Sequence, residues 1–275
     1  MELIKGKPVA DSLKEEIIAA AESMEIKPRL AIVRVGEKPA DVYYEGTATK
    51  RLTSLGLRVS SHAFDENISF EEFRAEFEKI NSDADVSGIL VMRPFPKHLK
   101  DAEKWIETAI DPAKDVDCIS PVNIAGVMTG DESAFAPCTA QSVMEILKFY
   151  NIDPCGKNVV IIGRSMVVGK PLSMMMLKAN ATVTVCHTKT TNLSEVAKQA
   201  DILVVAAGKA GLVNKDFVKD GAVLIDVGTN VNEEGKLCGD CDLSGMEDMN
   251  VTATPVPGGV GSVTTTVLAK HLVLK

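Results

Sequence analysis

The 275-residue chain is long enough for one large or two modest domains, and its 45% apolar and 25% charged content excludes a disordered or fibrous polymer. A formal net charge of -8 excludes a general affinity for nucleic acid or an anionic membrane, because the summed field repels phosphate. A phosphate-bearing ligand must therefore be met by local donors.

The first residues, Met1 to Val9, pass directly into the charged run Lys14-Glu15-Glu16, so they hold no uninterrupted apolar core of the signal-peptide kind. Apolar runs around Ile89, Leu203 and Leu224 are strand-length and too short to span a bilayer, so the expected location is the cytoplasm. In chain order the periodicity predicts a helix over 8–23, a strand over Leu30–Val35, helices over 40–55 and 69–81, and a strand over Val86–Val91. A cluster rich in Pro and Asp, Asp111 to Pro121, interrupts the alternation. Beyond it come a helix over 139–150, a strand over Val159–Ile162, a helix over 168–179, a strand over Thr182–Val185 and a helix over 192–199. Strands over Ile202–Val205 and Ala222–Ile225 follow, then a second irregular cluster, Pro255 to Gly261, and a final helix from about Thr264.

Short, continuously apolar strands separated by amphipathic segments imply parallel sheets covered on both faces, which is an α/β fold with crossover helices. No internal repeat is present. The simplest partition is an N-terminal α/β domain over 1–138 and a doubly wound, Rossmann-like domain over 139–261, with a helix over about 262–275 that could return to the first domain.

Six cysteines are scattered at 118, 138, 155, 186, 238 and 241, and only Cys238-Gly-Asp-Cys241 has a motif-like spacing. A zinc site would need a second Cys or His pair nearby, and His271 is the only histidine downstream, so the pair reads as incidental and no metal is expected.

The loop Gly163-Arg-Ser-Met-Val-Val-Gly169-Lys-Pro171 lies between a predicted strand and a predicted helix, where backbone N–H groups and the helix dipole face a phosphate. Ser165 stands where the usual G-x-G-x-x-G pattern has its second glycine. At the end of the next strand, Val185-Cys-His-Thr-Lys-Thr190 lacks the Asp or Glu with which NAD sites meet the ribose 2′-OH. Thr188, Lys189 and the guanidinium of Arg164 offer donors instead, which favours NADP over NAD. The bland alternative is a solvated loop, a stronger competitor for Lys189 than for Arg164. His187, alone at a strand end, reads as locally bonded rather than catalytic.

These motifs, with Pro39 through Gly56, Gly88-Ile-Leu-Val-Met-Arg-Pro-Phe-Pro96, Asp115-Val-Asp117, Pro121-Val-Asn123, Pro137-Cys-Thr139, Asp226-Val-Gly228 and Thr254-Pro-Val-Pro-Gly-Gly-Val-Gly261, span nearly the whole chain. Together they resemble the methylenetetrahydrofolate dehydrogenase/cyclohydrolase family. The resemblance implies a homodimer in which an N-terminal catalytic domain and an NADP domain enclose a cleft, and in which 5,10-methylenetetrahydrofolate gives hydride to the nicotinamide. It implies that Tyr44 stacks on the folate, that Asp117 hydrogen-bonds the pterin, and that Met92, Pro257 and Gly258 line the substrate. Gly163, Arg164, Ser165, Thr188 and Thr229 would hold the cofactor.

Family members that also hydrolyse the methenyl product are similar in a Tyr-x-x-x-Lys segment, but with Tyr44 in register this chain has Ala48 at the lysine position. Lys50 is six residues beyond Tyr44 and points about 120° away on a helix; Tyr43 shares its face, but two turns, roughly 10 Å, away. The family's Val-Gln-x-Pro stretch is Val91-Met92-Arg93-Pro94, so the glutamine is absent too. Water activation needs a positioned polar group, whereas hydride departure needs mainly alignment of two carbons. A mainly or solely dehydrogenase enzyme is therefore expected, with hydrolysis left to another protein or to an unrecognised group such as Arg93 or Lys50. A shikimate-type dehydrogenase and an inert NADP-binding scaffold are the competing readings.

Overall fold

The computed structural model describes residues 1–274 and divides them into two compact units. One holds Leu13–Gly126, Asp131–Ala136 and the chain from Thr265; the other holds Met1–Ser12, Val127–Gly130 and Pro137–Thr264.

The first unit is built on a three-stranded parallel sheet of order β3-β2-β4, formed by β2 (Arg29–Val35), β3 (Arg58–Phe64) and β4 (Gly88–Val91). Helix α1 (Gly6–Glu22) precedes it in the chain. Central β2 carries the apolar run Leu-Ala-Ile-Val because both of its faces are covered, and all four side chains are fully buried. Helix α2 (Pro39–Ser54) crosses from β2 to β3, and α3 (Phe70–Ser82) crosses from β3 to β4. Ser69 and Glu72 close a reciprocal capping box at the start of α3, satisfying two backbone donors that a helix end leaves open. Behind the sheet, Phe73 meets Phe64, Phe77 and Phe95 at ring centroid distances of 5.1–6.1 Å, and Trp105 of α4 (Lys100–Ala109) meets Phe77 edge-on at 5.8 Å.

The final helix, α9 (Thr264–Val273), lies against β4 and the chain that follows α4. His271 Nδ1 lies 2.8 Å from the Val116 carbonyl, and Gly88 is required beneath the helix, since a Cβ there would sit 2.6 Å from both Leu272 and Val116.

The second unit contains a six-stranded sheet of order β1-β11-β8-β7-β5-β6, every neighbouring pair of which is parallel. Its strands are β1 (Glu2–Leu3), β5 (Asn158–Ile162), β6 (Thr182–Cys186), β7 (Ile202–Val205), β8 (Val223–Asp226) and β11 (Thr252–Ala253). Helix α6 (Cys138–Phe149) precedes β5, α7 (Gly169–Lys178) joins β5 to β6, and the short α8 (Leu193–Ala197) joins β6 to β7. A two-residue antiparallel ladder pairs β9 (Asn230–Val231) with β10 (Leu237–Cys238). The chain runs outward from β5 to β6 and then returns across β5 to β7, so the strand order reverses between β5 and β7. Open α/β sheets hold ligands outside the carboxyl ends of strands at such a reversal.

Besides the two-residue strands β1, β9, β10 and β11, three longer elements were not expected. β3 has the mixed sequence Arg-Val-Ser-Ser-His-Ala-Phe and is a strand because all seven residues find partners on β2. Helix α4 is only ten residues long, and α5 (Pro121–Thr129) begins inside what reads as a breaker cluster. The structure also places Met1–Ser12 with the six-stranded sheet, unlike a division at residue 138, because Glu2 and Leu3 pair with Thr252 and Ala253.

Candidate active site

On the six-stranded sheet, β5 ends at Ile162 and the chain turns at Gly163, whose φ of +132° favours glycine. A Cβ on Gly163 would lie 2.3 Å from the Ala206 carbonyl oxygen, and one on Gly169 would lie 2.1 Å from the Gly163 carbonyl oxygen. Both glycines thus serve close backbone approach. Ser165 has a local task that its place in the sequence did not reveal: its hydroxyl accepts from the Val168 N–H at 3.1 Å and its carbonyl from Lys170 N–H at 3.1 Å. The loop folds over on itself while Arg164 and Ser165 stay exposed at its tip.

Across from it, after β6, the Thr190 hydroxyl accepts from His187 N–H at 2.9 Å, and Thr190 N–H donates to the His187 carbonyl at 2.8 Å. His187 Nδ1 accepts from Lys189 N–H at 3.1 Å, so the imidazole is committed to its own turn. Thr188 and Lys189 are exposed on that turn, and no carboxylate occurs between Cys186 and Thr190. The close glycine approach, the cationic Arg164 and this acid-free turn suit a dinucleotide with a 2′-phosphate.

After β8, Asp226 is buried and accepts Gly228 N–H at 2.9 Å and Asp240 N–H at 3.0 Å on Oδ1, and Cys241 N–H at 2.8 Å on Oδ2. Burial pushes its carboxyl up, against the pull of these three donors. The exposed Thr229 follows Gly228 at the mouth of the same strand. Burial, with the charges of Asp226 and Asp240, also drives the Cys241 thiol strongly up. Among the described residues no group of three or more His, Cys, Asp or Glu side chains could hold a metal ion. Pro257 and Gly258 are exposed beyond β11, where the Gly258 carbonyl accepts Gly6 N–H at 2.8 Å.

On the three-stranded sheet, α2 is pinned by an ion pair between Arg34 of β2 and Glu45 at 2.5 Å, and the Glu45 carboxylate also accepts from Ser61 of β3. This turns Ala48 and Leu52 fully inward and leaves Tyr44 half-buried one turn before Ala48, while Tyr43 is 78% exposed. Lys50 is exposed. Met92, only 8% exposed, follows β4 and donates its N–H to the Val33 carbonyl at 2.8 Å. Arg93 pairs with Glu107 at 3.0 Å.

Asp117 is half-buried in a loop that two other motif residues build. The buried Asp115 accepts from Ile119 N–H at 2.9 Å, Ser120 N–H at 2.8 Å and Asn123 Nδ2 at 2.9 Å, while Asn123 also donates to the Pro112 carbonyl at 3.0 Å. Asp115 and Asn123 are thus the frame of the loop that presents Asp117. Cys118, next along, is held at φ +59° with its thiol pushed up to about 12 by burial and by the charges of Asp115 and Asp117.

Tyr44, Ala48, Met92 and Asp117 therefore belong to one unit, and Gly163, Arg164, Ser165, Thr188, Thr229, Pro257 and Gly258 to the other.

Comparison with known proteins agrees with both halves. Residues 4–117 match the family described as tetrahydrofolate dehydrogenase/cyclohydrolase, catalytic domain, and residues 137–275 match its NAD(P)-binding domain. The bifunctional protein FolD of Clostridium kluyveri is 51% identical over 274 residues, covering 98% of this chain and 96% of that one. The crystal structure of bifunctional FolD methylenetetrahydrofolate dehydrogenase/cyclohydrolase from Campylobacter jejuni superposes with a TM-score of 0.93 at 41% identity, covering 99% and 97%. That of the Trypanosoma brucei enzyme, complexed with NADP cofactor and an inhibitor, gives 0.90 at 32% identity, covering 98% and 95%. A shikimate 5-dehydrogenase from Listeria monocytogenes is 12% identical with a TM-score of 0.53, covering 92% and 95%, a likeness of fold alone.

Proposed function

The chain belongs to the tetrahydrofolate dehydrogenase/cyclohydrolase family, and from that premise we propose that it oxidises 5,10-methylenetetrahydrofolate to the methenyl form with NADP, and that it hydrolyses the product poorly or not at all. The observation that carries the first half is the whole-chain family match combined with a loop after β5 that exposes Arg164 and a turn after β6 that exposes Thr188 and Lys189 and holds no acid. The cofactor, when bound, supplies the acceptor for a hydride. Departure of hydride from the methylene carbon leaves a cation shared by the two flanking nitrogens, so the protein needs to align carbons and exclude water rather than move a proton.

In this reading Tyr44 covers the folate ring with its aromatic face, and the Asp117 carboxylate accepts from the N–H donors of the pterin. Met92, Pro257 and Gly258 shape the substrate side; Gly163, Arg164, Ser165, Thr188 and Thr229 hold the cofactor. The catalytic domain is assigned to 1–138 with the helix over 262–275, and the NADP domain to 139–261, the first twelve residues of the chain being lent to the sheet of the NADP domain. A cytoplasmic homodimer is the proposed state. The supporting feature is β6, a sheet-edge strand with an exposed Val185, the kind of edge that chains cover by pairing.

Hydrolysis is the second half. Where an amine and an amide would stand, the chain has Ala48 at 0% and Met92 at 8% exposure, both apolar and neither able to activate water. Arg93 is already paired with Glu107 and Lys50 faces outward, so neither is an obvious replacement. Following the absorbance of methenyltetrahydrofolate with the purified protein decides the point: the decay should stay at the buffer rate, and A48K/M92Q should raise it. Fast enzyme-dependent decay in the unaltered protein overturns this half and leaves the dehydrogenase standing.

A further inference from the structure

The carboxyl ends of β7 and β8 are tied together by one buried side chain. Asp240 is 0% exposed, and its Oδ2 accepts Ala207 N–H at 2.6 Å and Gly208 N–H at 2.9 Å. Oδ1 accepts Lys209 N–H at 2.8 Å and Asn230 Nδ2 at 2.9 Å. The residue is itself clamped: its N–H donates to Asp226 Oδ1 at 3.0 Å and its carbonyl accepts Val213 N–H at 3.1 Å. Gly228 leaves it room, since a Cβ there would lie 2.3 Å from the Asp240 carboxyl carbon.

Of the two loops so joined, the one after β7 borders the reversal of strand order, and the one after β8 lies beside it on the neighbouring strand. Residues 207–209 continue from Ala206, the residue whose carbonyl Gly163 abuts, and Asn230 follows Thr229. Burying an ionised carboxylate is expensive, and packed apolar side chains would stabilise the fold at least as well. What a carboxylate offers instead is geometry, because four donors from two loops converge on two oxygens at fixed angles. On the other flank of β5, the turn carrying Thr188 and Lys189 meets the adenosine end, so the remaining half of a dinucleotide must lie over β7 and β8.

We propose that Asp240 is a positioning residue for the nicotinamide half of the cofactor, setting the 207–209 and 229–230 loops against which that half lies. The inference rests on the dinucleotide reading above. It is tested on the full-length enzyme by titrating NADPH fluorescence, by calorimetry with adenosine 2′,5′-bisphosphate, which carries only the adenosine half, and by steady-state kinetics. D240N should weaken NADPH by about tenfold or more and lower kcat, while binding the bisphosphate about as tightly as the unaltered enzyme. N230A removes only the side-chain donor and leaves the three backbone bonds in place, so it should act in the same direction, by about threefold. Unchanged NADPH affinity in both variants overturns the proposal, as does equal weakening of NADPH and the bisphosphate. Failure of D240N to fold, with N230A indistinguishable from the unaltered enzyme, also overturns it. An unaltered enzyme that binds neither ligand refutes the dinucleotide reading instead.

Discussion

Arg164 and Asp115 illustrate two kinds of motif residue. Arg164 is exposed at the tip of a loop whose own hydrogen bonds are made by Ser165, and no described residue bonds its guanidinium. Its removal should therefore cost affinity and not stability. R164A is expected to lower kcat/KM for NADP about tenfold, the effect of one charge-assisted contact to phosphate, with little change for NAD. Equal losses with both cofactors would contradict a 2′-phosphate role. Asp115 is the opposite case, a buried carboxylate with two backbone donors and an Asn side chain converging on it, and it acts on the site only through the loop it holds. In the sequence the two acids of Asp115-Val-Asp117 look alike; burial separates them.

Helices with a clear period and a terminal signal were legible to within a residue or two. α3 carries both Ser69 and Glu72 of its capping box, and Pro39 sits at the start of α2, where its missing N–H is harmless. β3 was not legible, because an edge strand with Arg, Ser and His owes its conformation to β2 rather than to its own propensity. Contacts between elements also decide pH behaviour. Asp201, just before β7, has its carboxyl held low by the Lys219 ammonium at 2.7 Å and by Asn158 N–H of β5 at 2.8 Å. A carboxyl lowered by folding contributes stability above its unfolded value, about 3.9, and that contribution is lost as pH falls through the lower folded value. Melting temperature should therefore fall below about pH 4 more steeply in the unaltered protein than in D201N. Parallel acid limbs for the two proteins would show that the contact contributes nothing.

The assembled enzyme is expected to be a dimer whose partner covers the outer edge of β6. Light scattering at micromolar concentration should give twice the mass of the chain, and V185D, which places a charge on a 37% exposed edge position, should shift it toward monomer. A monomer in the unaltered protein would refute the assembly, and a dimer indifferent to V185D would move the interface elsewhere. Catalytic scope depends on the whole chain in another way. Ala48 and Met92, on which the proposed lack of hydrolysis rests, lie on α2 and after β4, far apart in sequence, yet both follow strands of one parallel sheet.

Fold class, the strand-loop-helix of Gly163 to Pro171 and the apolar residues at 48 and 92 were all readable from residue order, because strand-length apolar runs, glycine spacing and motif register are local properties of the chain. Other features depend on partners remote in sequence. Glu2 and Leu3 join the six-stranded sheet only through Thr252 and Ala253, and His271 finds its acceptor on Val116. Ser165 looked like a missing glycine and closes its own loop, while Asp240, which lies between two cysteines read as an incidental pair, gathers donors from residues 207–209 and 230. A buried carboxylate is defined by which N–H groups surround it, and that arrangement exists only once the strands have brought their loops to one edge.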